Sequence, residues 1–181
     1  MDGKTAKEYR IIIQECKELF EKKTRDYGTA WRILRLPSIT DQIFIKAQRI
    51  RSIEEKGIQK VDDDIRGEFQ GIINYCIIAI MQIELAGDKR MELTFEDLEP
   101  MYDNCVEDTL TLLNAKNHDY NEAWREMRLA SITDIILMKL LRVKQIEDNA
   151  GKTLVSEGVK ANYQDMINYA VFSLIKLNDE F

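Results

Sequence analysis

Apolar residues recur every three or four positions along almost the whole chain, a spacing that predicts helices and not strands. Between about Thr5 and Tyr27, the residues Tyr9, Ile12, Ile13, Cys16, Leu19 and Phe20 trace one face of a first helix. Gly28 should end it, because glycine tolerates the left-handed backbone just past a helix end. A short turn then carries Trp31 to Pro37. A second helix is expected to start at Ser38-x-x-Asp41, which reads as a capping box, and to stop near Gly57. A third should start near Val61. From Tyr75 to Met81 it is apolar on nearly every side, the mark of a central, buried helix.

The same three-helix pattern then returns. Lys23-x-x-Asp26-Tyr27-Gly28-x-Ala30-Trp31-Arg32 reappears as Lys116-x-x-Asp119-Tyr120-Asn121-x-Ala123-Trp124-Arg125. Ser38-Ile39-Thr40-Asp41 reappears as Ser131-Ile132-Thr133-Asp134, Lys46-x-x-Arg49 as Lys139-x-x-Arg142, and Gln70-x-x-Ile73-Asn74-Tyr75 as Gln164-x-x-Ile167-Asn168-Tyr169. In the second copy the second helix should end near Gly151 and the third should start near Val155. The repeats span 1–88 and 94–181, joined at 89–93 within the segment Ala86–Leu93, and Thr94-x-x-Asp97 should cap the next helix. The expected fold is all-α: six long helices as two three-helix repeats with pseudo-two-fold symmetry. One repeat of about 85 residues has little core of its own, so the two should pack as one globular unit with the third helices near the common axis.

Composition narrows the class. The chain has 181 residues, 45% hydrophobic and 32% charged, with two prolines, eight glycines and a net charge of -6. That is a globular chain with no general nucleic-acid-binding face. Cys16, Cys76 and Cys105 have no cysteine at the matching positions of the other repeat, and read as reduced thiols of a cytoplasmic protein. The longest apolar run, Ile72–Leu85, is too short and too polar to span a membrane.

Core positions drift between copies as long as volume is kept, so polar residues held in both need another reason. Lys46 and Lys139 each fall in the middle of an apolar helical stripe, Ile39, Ile43, Ile50 and Ile53 in one case, Ile132, Ile136, Val143 and Ile146 in the other. Such an ammonium must be paired or reach a pocket. Arg49 and Arg142 flank the stripes, and Glu54 and Glu147 lie close on the other side. The third helix carries a polar face: Asp63, Gly67, Gln70 and Asn74, against Glu157, Ala161, Gln164 and Asn168 with Asp165 at its edge. Asn74 and Asn168 enter the most apolar part of the chain and should be buried and hydrogen-bonded. Lys23 suits the negative end of the helix dipole, whereas Asp26, retained as Asp119, does not. Trp31 and Trp124 fit either core lids or stacking surfaces for a base. The only histidine, His118, is matched by Arg25, so histidine catalysis shared by both repeats is excluded. There is no glycine-rich phosphate loop.

The run Lys-x-x-Asp-Tyr-Gly, then Lys-x-x-Arg, then an acid-bearing helix ending in Asn-Tyr resembles nucleotide modification associated domain 1, once per repeat. The resemblance implies an all-α domain tied to nucleotide or modified-DNA metabolism. That family is in turn distantly similar to the all-α nucleoside triphosphate pyrophosphohydrolases, whose paired carboxylates hold Mg²⁺ against phosphates. The family's third helix carries three acids at four-residue spacing before Asn-Tyr. Here Glu157 and Asp165 match and Ala161 does not; Asp63 matches and Gly67 and Gly71 do not.

Two functions are consistent with these residues. In the first, the chain binds a nucleotide or other phosphorylated small molecule and extends to Mg²⁺-dependent hydrolysis. Lys23, Asp26, Tyr27, Trp31, Lys46, Arg49 and Asn74, with Lys116, Asp119, Tyr120, Trp124, Lys139, Arg142 and Asn168, would bind substrate. Glu54, Asp119, Glu147, Glu157 and Asp165 would hold metal, more weakly in the first repeat. In the second, the chain is a non-catalytic helical module whose retained polar residues form buried networks. A homo-oligomer is compatible with either.

Overall fold

The computed structural model describes residues 3–57, 64–120, 122–155 and 157–179, without the side chains of 116–120. Six long helices run in order: α1 (Gly3–Tyr27), α2 (Leu36–Lys56), α3 (Ile65–Glu84), α4 (Phe95–Tyr120), α5 (Leu129–Asp148) and α6 (Val159–Asp179). No strand occurs among the described residues. Short 3-10 turns, Ala30–Ile33 and Ala123–Glu126, carry the two tryptophans. The all-α expectation and the helix order of two repeats are both met.

Helices α3 and α6 pack against each other at the centre, as their all-round apolarity demands. Helices α2 and α5 pair on one side, and α1 and α4 pair on the other, each touching both central helices. One buried cluster draws residues from all six helices, so neither repeat closes a core alone.

Local signals decide the helix ends. Gly28 takes φ 67° after α1 and Gly57 takes φ 60° after α2. An added Cβ at Gly28 would also lie 2.5 Å from Glu92 Oε2. Thr94 and Asp97 cap α4 reciprocally, with backbone-to-side-chain hydrogen bonds of 3.0 and 3.1 Å. The left-handed residue expected at Asn121 lies outside the described residues; its neighbour Glu122 adopts φ 57°.

Three helix starts differ from expectation. Ser38-x-x-Asp41 and Ser131-x-x-Asp134 are not capping boxes. Helix α2 already starts at Leu36 with Pro37 in its first turn, where its missing N–H costs nothing, and α5 starts at Leu129. Ser38 thus sits inside the helix, its N–H donating to the Arg35 carbonyl. Val155 lies in an exposed bend and α6 begins four residues later, at Val159. The expected start at Val61 falls outside the described residues, and α3 begins at Ile65.

The retained residues of these segments join the repeats instead. Thr40 donates to Glu147 Oε1 at 2.8 Å, and its counterpart Thr133 donates to Glu54 Oε1 at 2.9 Å. Asp41 pairs with Lys144 at 2.5 Å and Asp134 with Arg51 at 3.6 Å. Each contact runs from one repeat to the other and is answered by its mirror. That reciprocity is what a pseudo-two-fold axis produces.

Candidate functional site

Five of the seven binding candidates of the first repeat, Lys23, Tyr27, Trp31, Lys46 and Asn74, line one cavity of about 300 Å³, and Asp26 and Arg49 do not. Helix α1 supplies Lys23, Thr24 and Tyr27 from its last turn. The 3-10 turn supplies Trp31. Helix α2 contributes Lys46, and α3 contributes Gly67, Gly71, Asn74 and Tyr75. Phe20, Leu34 and Ile78 complete an apolar floor. The glycine that ends α1 turns the chain back, which brings Trp31 to the same opening as Tyr27.

Lys46 sets the geometry of the wall. Its Nζ lies 3.2 Å from Glu68 Oε2 and 6.0 Å from the centre of the Tyr75 ring. Glu68 is buried and also holds Arg49. The lysine stem lies directly over Gly71: a Cβ there would stand 2.8 Å from Lys46 Cδ and Cε. The glycine therefore makes room for the lysine along the cavity wall. Lys23, at the rim, has no ion pair among the described residues. Burial raises the Tyr27 hydroxyl above its ordinary pKa, with smaller contributions from Tyr75 and Asp26. Asp26 itself is exposed and does not line the cavity.

The second repeat is built differently around the same motif. Lys139 pairs with Asp165 at 2.5 Å, and Asp165 stands where the first repeat has Gly71. Glu68, conversely, is matched by Asn162. Each lysine has its carboxylate, but the acid has moved by three residues along the central helix. Trp124 is buried and stacks on Phe172, with ring centres 4.2 Å apart and planes 5° from parallel. Phe172 stands where Ile78 lines the first-repeat cavity. Lys139, Arg142 and Glu157 instead border a separate, open cleft of about 730 Å³ with Lys152, Asn149 and Asn162. Arg142 is exposed and has no ion pair among the described residues.

The remaining sequence candidates hold the repeats together. Tyr9 donates to Asn168 Oδ1 and Tyr102 donates to Asn74 Oδ1, both at 2.9 Å; Asn74 also donates to the Cys16 carbonyl. Asn168 is thus an inter-repeat structural amide, and Asn74 combines that role with a place on the cavity wall. Glu54 and Glu147 face the threonines of the opposite repeat. Burial raises the pKa of both, against the lowering effect of those hydrogen bonds. The carboxylates assigned to metal are therefore dispersed: two at the α2–α5 contact, Asp165 on Lys139, Glu157 in the open cleft. Among the described residues no three acid, histidine or cysteine side chains gather as a metal site. Glu54, Glu147, Glu157 and Asp165 therefore do not by themselves form a Mg²⁺ centre. Lys116, Asp119 and Tyr120 have side chains outside the described set, as does Asp63.

Sequence reasoning passed over Gly71 and Tyr75 as site residues. Tyr75 had a signal, since it recurs as Tyr169. Gly71 had none by repetition, because its value lies in differing from Asp165. Both indole N–H groups are buried without a hydrogen-bond partner. Because Trp124 shares this while stacked on Phe172, it belongs to the tryptophan turn and is no sign of a ligand.

No described helix is long and apolar enough to cross a membrane. Comparison with curated proteins and with solved structures returns no match. A family model, nucleotide modification associated domain 1, matches twice, over residues 23–83 and 116–177, and those spans contain the cavity motifs of the first repeat and their counterparts in the second. The chain belongs to the nucleotide modification associated domain 1 family, in a form that carries the domain twice.

Proposed function

We propose that this protein binds a nucleotide in the first-repeat cavity. The observation that carries the reading is the convergence of Lys23, Tyr27, Trp31, Lys46 and Tyr75 on one opening. Aromatic rings and an apolar floor suit a base, which stacks on π faces irrespective of its identity. Two ammonium groups at the wall and rim suit a phosphate. The family's association with nucleotide modification supports the same ligand class. No hydrolytic step is part of the proposal, since no carboxylate stands among the described residues that line the cavity. Mg²⁺ enters only as an ion that the ligand's phosphate would bring.

The second reading, a purely structural polar network, is favoured for Asn168, Glu54 and Glu147 by their reciprocal inter-repeat hydrogen bonds. It does not account for Lys23 or Tyr27, which are exposed at the cavity. A thermal-shift screen of ribo- and deoxynucleotides, each with and without Mg²⁺, tests the proposal. A ligand at 100 times its dissociation constant should add about 2.7 kcal/mol of stability. Melting curves unmoved by every nucleotide at millimolar concentration would refute it.

A further inference from the structure

Resting on the nucleotide reading, we infer that the base lies flat on Trp31, in the position that the Phe172 ring takes on Trp124 in the second repeat, and that residue 78 decides whether this slot is open. The repeats supply the comparison, because the same tryptophan turn meets a different residue of the central helix in each.

In the second repeat the slot is filled from within the chain. Phe172 lies on Trp124 with ring centres 4.2 Å apart and planes 5° from parallel, the geometry of a stacked aromatic pair. Trp124 is buried beneath it. The counterpart of Phe172, four residues after the retained asparagine of each repeat, is Ile78. A branched aliphatic side chain has no flat face to lay on an indole. Trp31 and Ile78 instead border the cavity together, and Trp31 is half-buried. Phe20, on the cavity floor, does not stand in for Phe172. Its ring is committed to the α1–α4 contact, against Tyr102 at 5.3 Å and Phe95 at 6.4 Å.

The direction of the ligand follows from the axis of α3. Ile78 lies seven residues after Gly71, about 10 Å along the helix. The Lys46 side chain lies over Gly71, its Nζ 3.1 Å from where a Cβ would stand. A base resting on Trp31 at the Ile78 end therefore sends its sugar and phosphate toward the Lys46 ammonium. Stacking uses the π face that every base has, so the slot selects a planar heterocycle and not one particular base.

The test is isothermal titration calorimetry of the full chain with adenosine, guanosine, cytidine and uridine 5′-monophosphates beside ribose 5-phosphate, which lacks the base. The native chain should bind the nucleotides at least about tenfold tighter than ribose 5-phosphate, the gain from one stacked base. Ile78→Phe, which installs the second-repeat residue, should lower nucleotide affinity at least about tenfold and leave ribose 5-phosphate within about threefold of native. Trp31→Leu should do the same. Trp31→Phe, which keeps a ring, should stay within about threefold of the native chain for every probe. Circular dichroism establishes that each variant is folded; should Ile78→Phe fail to fold, the two tryptophan variants decide. Native nucleotide affinity in folded Ile78→Phe or Trp31→Leu, an equal loss for nucleotides and ribose 5-phosphate, or a native chain that binds ribose 5-phosphate as tightly as the nucleotides would overturn this inference and leave the nucleotide reading standing. No binding of any of the nucleotides by the native chain at millimolar concentration would overturn both.

Discussion

The Tyr9 hydroxyl of the first repeat donates to Asn168 of the second at 2.9 Å, and the reverse pair, Tyr102 to Asn74, has the same length. The asparagines of the two Asn-Tyr motifs thus tie the outer helix of one repeat to the central helix of the other. Tyr9 and Tyr102 are fully buried, so water cannot replace a lost partner. Tyr9→Phe should cost about 1–3 kcal/mol by leaving the Asn168 oxygen unsatisfied. Urea unfolding measures this, and nucleotide affinity should stay unchanged, because Asn168 lies away from the cavity. An equal loss of affinity would place Asn168 in a binding site.

The two lysines should respond differently to the same substitution. Lys139→Met takes away the ammonium 2.5 Å from Asp165, a largely buried carboxylate with only 14% side-chain exposure. Breaking a buried pair on one side costs about 3–5 kcal/mol. Lys46→Met leaves Glu68 on Arg49, so its stability cost should be smaller, roughly 1–2 kcal/mol. Its main effect should fall on ligand affinity. Chemical unfolding of both variants beside a binding titration separates the two roles; the opposite ranking of stability losses would contradict the pairing described.

Stability should also depend on pH through Glu54 and Glu147. Burial raises both above their ordinary values. A carboxylate with a raised folded pKa binds protons more readily folded than unfolded, so it destabilises the fold when ionised, and this cost disappears as pH falls through the folded pKa toward the unfolded one. Glu54→Gln and Glu147→Gln keep an acceptor for Thr133 and Thr40 without the charge. Each should be more stable than the native chain at pH 7, with the advantage shrinking toward pH 5. Melting temperatures across that range check it, and a gain that grows on acidification would carry the wrong sign.

Helix number and order were legible because a 3.6-residue period is written directly in Tyr9, Ile12, Ile13 and Cys16 and in the stripes around Lys46 and Lys139. The start of α2 was misread because Ser38-x-x-Asp41 has the composition of a cap. Its Thr40 and Asp41 instead serve a helix more than a hundred residues away, at Glu147 and Lys144. Comparing two repeats reveals which residues persist but not which repeat each one touches. It also hides compensation: Glu68 and Asp165 do the same work for their lysines from positions that do not align. Gly71, seen alone, looked like a missing acid, and only the path of the Lys46 side chain shows that it provides room.

Trp31 at the cavity and Trp124 against Phe172 give each repeat its own optical reporter. Trp124→Phe leaves Trp31 as the only indole, and Trp31→Phe leaves Trp124. Titrating both chains with nucleoside monophosphates while following tryptophan emission reports directly on where binding occurs. The account predicts a saturable change in the chain that keeps Trp31, lost when Lys46→Met is added, and a flat response in the chain that keeps Trp124. A response confined to Trp124, or none from Trp31 with any nucleotide at millimolar concentration, would contradict it.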